Sequence, residues 1–140
     1  MAYSKKSNGI VAAAAALLFF TSPLTSAKLT WLEQIEVNTF GELRQVERYQ
    51  LKTAERFYTK GEYAAAAAEY EKFITLYETS PGAPYAQLMW SHCQVKQRKV
   101  YTGIRDGFQT VIDYWPESAE AMLASYLIGQ SYNCLLYTSP

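Results

Sequence analysis

The sequence predicts an all-α protein in which antiparallel helical hairpins stack as an α-solenoid of about two and a half repeats. Three observations lead to this fold class. Apolar side chains recur every three or four residues beyond residue 30, which is the period of a helix. No segment shows the sustained two-residue alternation of a half-buried strand. Pairs of predicted helices repeat after 37 or 38 residues, and a period in this range is typical of helical solenoids.

Length and composition exclude several classes of protein. A chain of 140 residues has room for one small domain. Its 13 basic and 13 acidic residues balance to a formal charge of zero, so it lacks the basic surface that binds nucleic acid. One histidine and two cysteines are too few for most all-protein zinc sites or for a dense disulfide scaffold. We therefore predict no metal and no cofactor.

Residues 1–27 have the layout of a secretory signal peptide. Lys5 and Lys6 precede an unbroken apolar run at 10–20, and small residues ending at Ala27 follow it. The run is shorter than the ~20 residues that span a bilayer as a helix. We expect cleavage after Ala27 and no transmembrane domain in the mature chain, with an uncleaved N-terminal anchor as the alternative. No cysteine stands near the cleavage point to form a lipobox, and the predicted location is periplasmic or outer-membrane-associated.

The lead-in segment, 28–47, contains two capping-box patterns. Thr30 and Thr39 each stand three residues before a glutamate, which is how a threonine N-cap and its reciprocal acid are spaced. The first predicts a short helix at 31–37. The second predicts a longer helix that ends at Gly61, a residue free to adopt the left-handed cap conformation. The predicted buried stripe of this longer helix consists of Leu43, Val46, Gln50, Ala54 and Phe57.

Three repeats follow, at residues 48–84, 85–118 and 119–132. The third consists of a first helix only, with Ser118 as its N-cap. Beyond Gly61, we predict helices at residues 62–77, 85–98, 101–114 and 119–132. The first of these has an alanine-rich sequence, and its predicted buried stripe is Tyr63, Ala66, Tyr70 and Phe73. Pro84 suits the first turn of the next helix. Gly103 and Gly107 lower helix propensity, which is consistent with a neighbouring helix packed closely against them.

One stretch of the first repeat resembles the tetratricopeptide repeat. The motif is Phe57-x-x-x-Gly61-x-Tyr63-x-x-Ala66-x-x-x-Tyr70. A shift of 38 residues keeps aromatic residues at Tyr101 and Phe108, and Pro116 follows the second helix. Lys99 takes the place of the turn glycine and Ile104 that of the small alanine. The chain looks most like exported bacterial members of the family, such as the BamD-type outer-membrane assembly factor and periplasmic proteins associated with Tol–Pal.

The resemblance implies a non-catalytic scaffold of the cell envelope. In such repeats the first helix of each hairpin lines a concave surface that binds a peptide or a partner helix. The residues implied to face this surface are Arg48, Glu55, Tyr58, Met89, Lys96, Tyr126 and Gln130. Two alternatives stay open: a module that binds cell-wall carbohydrate or assists an enzyme, and a structural protein that self-associates through its last helix.

The end of the sequence, 133–140, has no capping character and resembles a translated sequencing adapter. Because the last helix has no predicted partner, we expect a fragment of a longer repeat array, with residues 133–140 as a non-native tail. The alternative is a genuinely short protein whose apolar last helix dimerises.

Candidate catalytic residues are few. His92 is predicted to be a packed helix residue rather than a base, since no partner motif accompanies it. Cys93 is its neighbour on the helix, so the two side chains point about 100° apart and do not face each other. We expect Cys93 to be buried, or paired with Cys134 as a disulfide in an oxidising compartment. No phosphate-binding loop occurs, and we predict that the chain is not an enzyme.

Overall fold

The computed structural model describes residues 31–138. The predicted signal peptide at 1–27 and the predicted Thr30 cap lie outside the described residues. Helices make up 83% of the described residues, and no strand occurs among them, so the all-α class is confirmed. No helix in the described range is both long and apolar enough to span a bilayer.

The described chain consists of successive helices that pack mainly on their neighbours in sequence. The helices are α1 (Trp31–Glu42), α2 (Gln45–Thr59), α3 (Tyr63–Leu76), α4 (Ala83–Lys96), α5 (Val100–Thr102), a π-helical segment (Gly103–Phe108), α6 (Gln109–Tyr114) and α7 (Ala119–Thr138). Helix α3 packs between α2 and α4, α4 packs against the π-helical segment, and α6 packs against α7. Helix α4 also contacts α7, and α1 lies against both of them.

The predicted helix start at Thr39 is wrong. Thr39 lies inside α1 and is buried, and the chain breaks at Leu43 and Arg44 before α2 begins. The capping acid of α2 is Glu47, whose Oε2 accepts a 2.9 Å hydrogen bond from the backbone N–H of Arg44. The Arg44 guanidinium also donates to Glu47 Oε1 at 2.6 Å. An arginine with a glutamate three residues later therefore marks this helix start, and the threonine pattern does not.

The predicted buried stripe of α2 is partly wrong. Leu43 and Ala54 are buried as expected, but Val46 is 66% exposed. The buried positions recur at steps of four and three from Leu43 to Ala54, and Val46 does not fall on them. The buried side of α2 includes Glu47 and Leu51 instead.

The turn between the helices has the same geometry in both hairpins. Gly61 has the predicted left-handed conformation with φ of 77°. In the second hairpin Arg98 adopts it with φ of 65°, so the sequence alignment that placed Lys99 there is wrong by one residue. Each turn closes with the paired hydrogen bonds of a Schellman motif. These are Gly61 N–H to Tyr58 O and Glu62 N–H to Phe57 O, then Arg98 N–H to Val95 O and Lys99 N–H to Gln94 O.

The π-helical segment accounts for this difference of one residue. The second helices of the two hairpins begin at Tyr63 and Val100, which is an offset of 37 residues. They end at Leu76 and Tyr114, which is an offset of 38. A π turn accommodates one extra residue within a helix. The second hairpin therefore contains one inserted residue, located at Gly103–Phe108.

Gly103 and Gly107 confirm the predicted close approach of a neighbouring helix. A Cβ at Gly103 would lie 2.7 Å from Cγ2 of Val95, and a Cβ at Gly107 would lie 2.3 Å from Oγ of Ser91. Both neighbours belong to α4. The contact between α4 and the π-helical segment therefore depends on the missing side chains of the two glycines.

Helix α7 continues to Thr138 rather than ending near Tyr132, because no proline or glycine interrupts 130–138. Much of its apolar surface is exposed: Met122 is 67% exposed, Tyr126 61% and Leu136 76%. Cys134, on this helix, is exposed, whereas Cys93 is buried. The structure therefore contains a buried Cys93, as predicted, and does not contain the alternative disulfide.

Gly107→Ala should destabilise the fold by about 1–3 kcal/mol, because its methyl group would overpack the contact with Ser91. Gly129→Ala is the matched control in α7, where a Cβ meets nothing within 4 Å. The control should be stabilised by about 0.5–1 kcal/mol through helix propensity. Urea unfolding followed by circular dichroism measures both. Equal shifts for the two variants would contradict the close contact.

Candidate functional site

A partly buried polar cluster joins α2, α3 and α4. The Glu55 carboxylate on α2 accepts hydrogen bonds at Oε1 from the Tyr70 hydroxyl on α3 and the Tyr85 hydroxyl on α4. The bond from Tyr85 measures 2.8 Å. The bodies of both tyrosines are fully buried in the core. One carboxylate therefore fixes the mutual position of three helices.

A second contact joins α2 and α4 nearer their C-terminal ends. The Tyr58 hydroxyl and Nδ1 of His92 share a hydrogen bond of 2.7 Å. The Tyr58 ring also packs edge-on against Tyr63 of α3, with centroids 5.5 Å apart. His92 is thus a packed, hydrogen-bonded helix residue, as the sequence predicts.

Burial holds most ionisable groups of the cluster in their neutral forms. It raises the pKa of Tyr58 and of the Cys93 thiol to about 12 each. Burial, with a smaller contribution from the nearby Lys96 ammonium, lowers the pKa of His92 to about 4. Burial also raises the pKa of Glu55, although its two phenol hydrogen bonds act in the opposite direction. A protonated thiol is a poor nucleophile, and burial holds Cys93 in this form.

An open cleft of about 390 Å³ lies beside Glu55, between α1 and α2. Its lining residues are Glu36, Phe40, Gly41, Arg48, Lys52 and Glu55. The Arg48 guanidinium donates from Nη2 to the backbone carbonyl of Leu43 at 3.0 Å, while its buried Nε has no hydrogen-bond partner. The cleft thus brings together two carboxylates, two cations and one aromatic ring.

The predicted surface residues do not all share one environment. Arg48 and Glu55 line the same cleft, and Tyr58 is half-buried in its contact with His92. Met89 is only 2% exposed, so it belongs to the core rather than to a contact surface. The other three predicted residues, Lys96, Tyr126 and Gln130, are exposed.

Sequence reasoning missed two parts of the site. Tyr70 was expected in the core, and Tyr85 was expected only to begin a helix, but their hydroxyls aim at a carboxylate. Glu36 and Phe40 were assigned to the lead-in segment, yet α1 brings both to the cleft. A buried tyrosine hydroxyl needs a hydrogen-bond partner, and this general rule was the signal available for Tyr70.

Comparisons with protein-family models, curated proteins and solved structures found no match to this chain. Among the described residues, no three histidine, cysteine or acidic side chains are grouped so that they could hold a metal ion.

Tyr85→Phe should lower the free energy of unfolding by about 1–3 kcal/mol, because it removes one hydroxyl donor from a buried carboxylate. Tyr114→Phe is the control, since Tyr114 is 74% exposed. The control should change stability by less than about 0.5 kcal/mol. Chemical unfolding at neutral pH tests the pair, and a Tyr85→Phe protein as stable as the control would show that the cluster contributes nothing.

The cluster also predicts a dependence of stability on pH. The folded pKa of His92, about 4, lies below its usual value of 6.5, so the unfolded chain takes up the proton first as pH falls. His92 therefore removes stability as pH falls from 6.5 towards 4, on the order of 2–3 kcal/mol in total.

Glu55, whose folded pKa is raised, adds stability over the lower part of this range, so wild type alone gives a mixed signal. In His92→Gln only the histidine contribution is lost. The difference in unfolding free energy between the two proteins should therefore shift in favour of His92→Gln as pH falls from 7 to 4. Parallel pH profiles for the two proteins would count against a buried neutral imidazole.

Proposed function

We propose that this chain is a non-catalytic protein-interaction scaffold of the bacterial cell envelope. It binds a peptide or a partner helix on the surface formed by α2, α4 and α7, the first helices of its hairpins. The observation that carries this proposal is the double hydrogen-bonded link between α2 and α4, through Glu55 and Tyr85 and through Tyr58 and His92. Since these bonds hold the two helices rigidly, binding costs little ordering entropy.

Exposed anchor residues support the same surface. Lys96 extends from α4 one turn beyond His92, and Tyr126 is 61% exposed on α7. Tyrosine is among the residue types that contribute most at protein interfaces, and a lysine ammonium can pair with an acidic group of a partner. The predicted signal peptide supports export, which would place this surface in the envelope.

The repeated turn geometry supports a tetratricopeptide-like arrangement. Gly61 and Arg98 occupy equivalent positions with the same hydrogen bonds 37 residues apart. Helical solenoids are built from consecutive hairpins of similar geometry. We therefore propose a tetratricopeptide-like concave surface as the binding site.

Self-association through α7 is the second candidate function. From Ala121 to Thr138 the helix has no charged residue, and it exposes apolar side chains that include 76% of Leu136 and 90% of Tyr137. A long uncharged face of this kind marks a surface for contact with another protein.

The experiment compares two variants of the full exported chain. The first variant, Lys96→Glu with Tyr126→Ala, changes the proposed surface. The control variant, Lys60→Glu with Tyr114→Ala, makes the same two kinds of substitution away from this surface, since Lys60 lies in the turn after α2 and Tyr114 lies on α6. Both lysines stand at the C-terminal end of a helix, so the effect on the helix dipole is alike. We expect in-cell cross-linking to envelope proteins to fall about tenfold for the first variant and to persist for the second.

The remaining outcomes separate the candidates. Equal cross-linking of both variants would show that the surface residues are wrong. Retention on peptidoglycan with no protein partner would replace the scaffold by the carbohydrate-binding alternative. Cross-links formed only between copies of the chain would replace it by self-association.

A further inference from the structure

Helix α1 lies on the surface that α4 and α7 share, beside α2. Ile35 and Thr39 are buried there, on one side of α1. One residue further along, the Phe40 ring packs edge-on against Tyr85, with centroids 6.2 Å apart. Tyr85 is the residue that donates to Glu55, so α1 covers part of the proposed binding surface. The part of the surface around Tyr85 is therefore already covered by a helix, α1.

The packing of α1 on this surface is incomplete. Clefts of about 290 and 260 Å³ lie between α1 and the start of α7, and the cleft of about 390 Å³ separates α1 from α2. The first two clefts share Ile35 and Asn38 from α1. All three clefts open to solvent along the edges of α1, so apolar surface beside α1 stays uncovered. Helix α1 therefore fits the surface without filling it.

The cleft between α1 and α2 also contains one pair of like negative charges. Glu36 lines the cleft of about 390 Å³ with Glu55, and the pKa of Glu55 is raised mainly by burial, with a smaller increase from the Glu36 carboxylate. Burial and the neighbouring Glu33 raise the pKa of Glu36 itself. The cations at this cleft are Arg48 and Lys52, and Arg48 is engaged with the Leu43 carbonyl. An uncharged residue at the place of Glu36 would remove the repulsion between the carboxylates.

We propose that this surface binds a helix rather than an extended peptide, and that a partner helix displaces α1 from it. This inference rests on the proposed function. The partner that replaces α1 is an amphipathic helix with an aliphatic side chain at the place of Ile35 and an aromatic ring at the place of Phe40. At the place of Glu36, one turn before the aromatic ring, the partner has an uncharged residue. The partner binds more tightly than α1 because its side chains fill the clefts and because it has no carboxylate facing Glu55.

The test uses a dye-labelled synthetic peptide of residues 31–43 that carries Glu36→Gln, and fluorescence anisotropy with the full chain. Ile35→Asp with Phe40→Ala releases α1 from the surface. Val46→Asp with Tyr49→Ala is the matched control, because these two side chains are 66% and 75% exposed. We expect the peptide to bind the released variant at least about tenfold more tightly than wild type or control. It should also bind the released variant more tightly than a peptide with the natural Glu36.

Equal affinity for all three proteins would overturn the proposal, as would no binding to a released variant that circular dichroism shows to be folded. If the released variant loses helix content, the proposal is tested instead by amide hydrogen exchange of the wild-type protein with and without peptide. Excess peptide should speed exchange in α1 but not in α3, and unchanged exchange in α1 overturns the proposal. Peptide binding as expected, with no envelope partner cross-linked, would support the docking surface and refute the envelope function.

Discussion

The Glu55 carboxylate is the contact on which the arrangement of the described helices depends. It accepts from a phenol on α3 and from another on α4, so a single side chain joins three helices. Burying a carboxylate is costly, and the raised pKa of Glu55 reflects that cost. The two hydroxyl donors offset part of the cost of burial. Because hydrogen bonds are directional, they also fix the relative position of the helices more narrowly than apolar packing does. Glu55 lines the cleft between α1 and α2, and Tyr85, which donates to it, is the residue on which the Phe40 ring of α1 packs.

Local signals predicted the middle of the fold well. Helices α3 and α4 begin within two residues of their predicted starts, because Gly61 ends one helix and Pro84 suits the first turn of another. The break before α2 was not predicted, since an arginine is an unusual N-cap and the threonine pattern nearby was more familiar. The inserted residue in the second hairpin was hidden because offsets of 37 and 38 residues both align apolar positions.

The candidate site was harder to predict than the fold. The resemblance placed Arg48 and Glu55 on one surface, and the structure brings them to one cleft. It placed Met89 there as well, although this side chain is buried among neighbouring helices. The position of α1 depends on contacts with α4 and α7, far away in sequence, and no local pattern at 31–42 specifies which surface it covers. Tertiary contacts of this kind decide which predicted surface residues remain accessible.

The π-helical segment at Gly103–Phe108 has a consequence for how the second hairpin could have arisen. One additional residue turns everything after it by about 100° around the helix axis unless the helix widens locally. The widening absorbs that rotation, so Val111 remains in the core while the turn at Arg98 and the cap at Trp115 keep their geometry. A helix of this kind can gain or lose a residue in its interior without altering either end. Changes of length in helical hairpins of this kind need not be confined to loops.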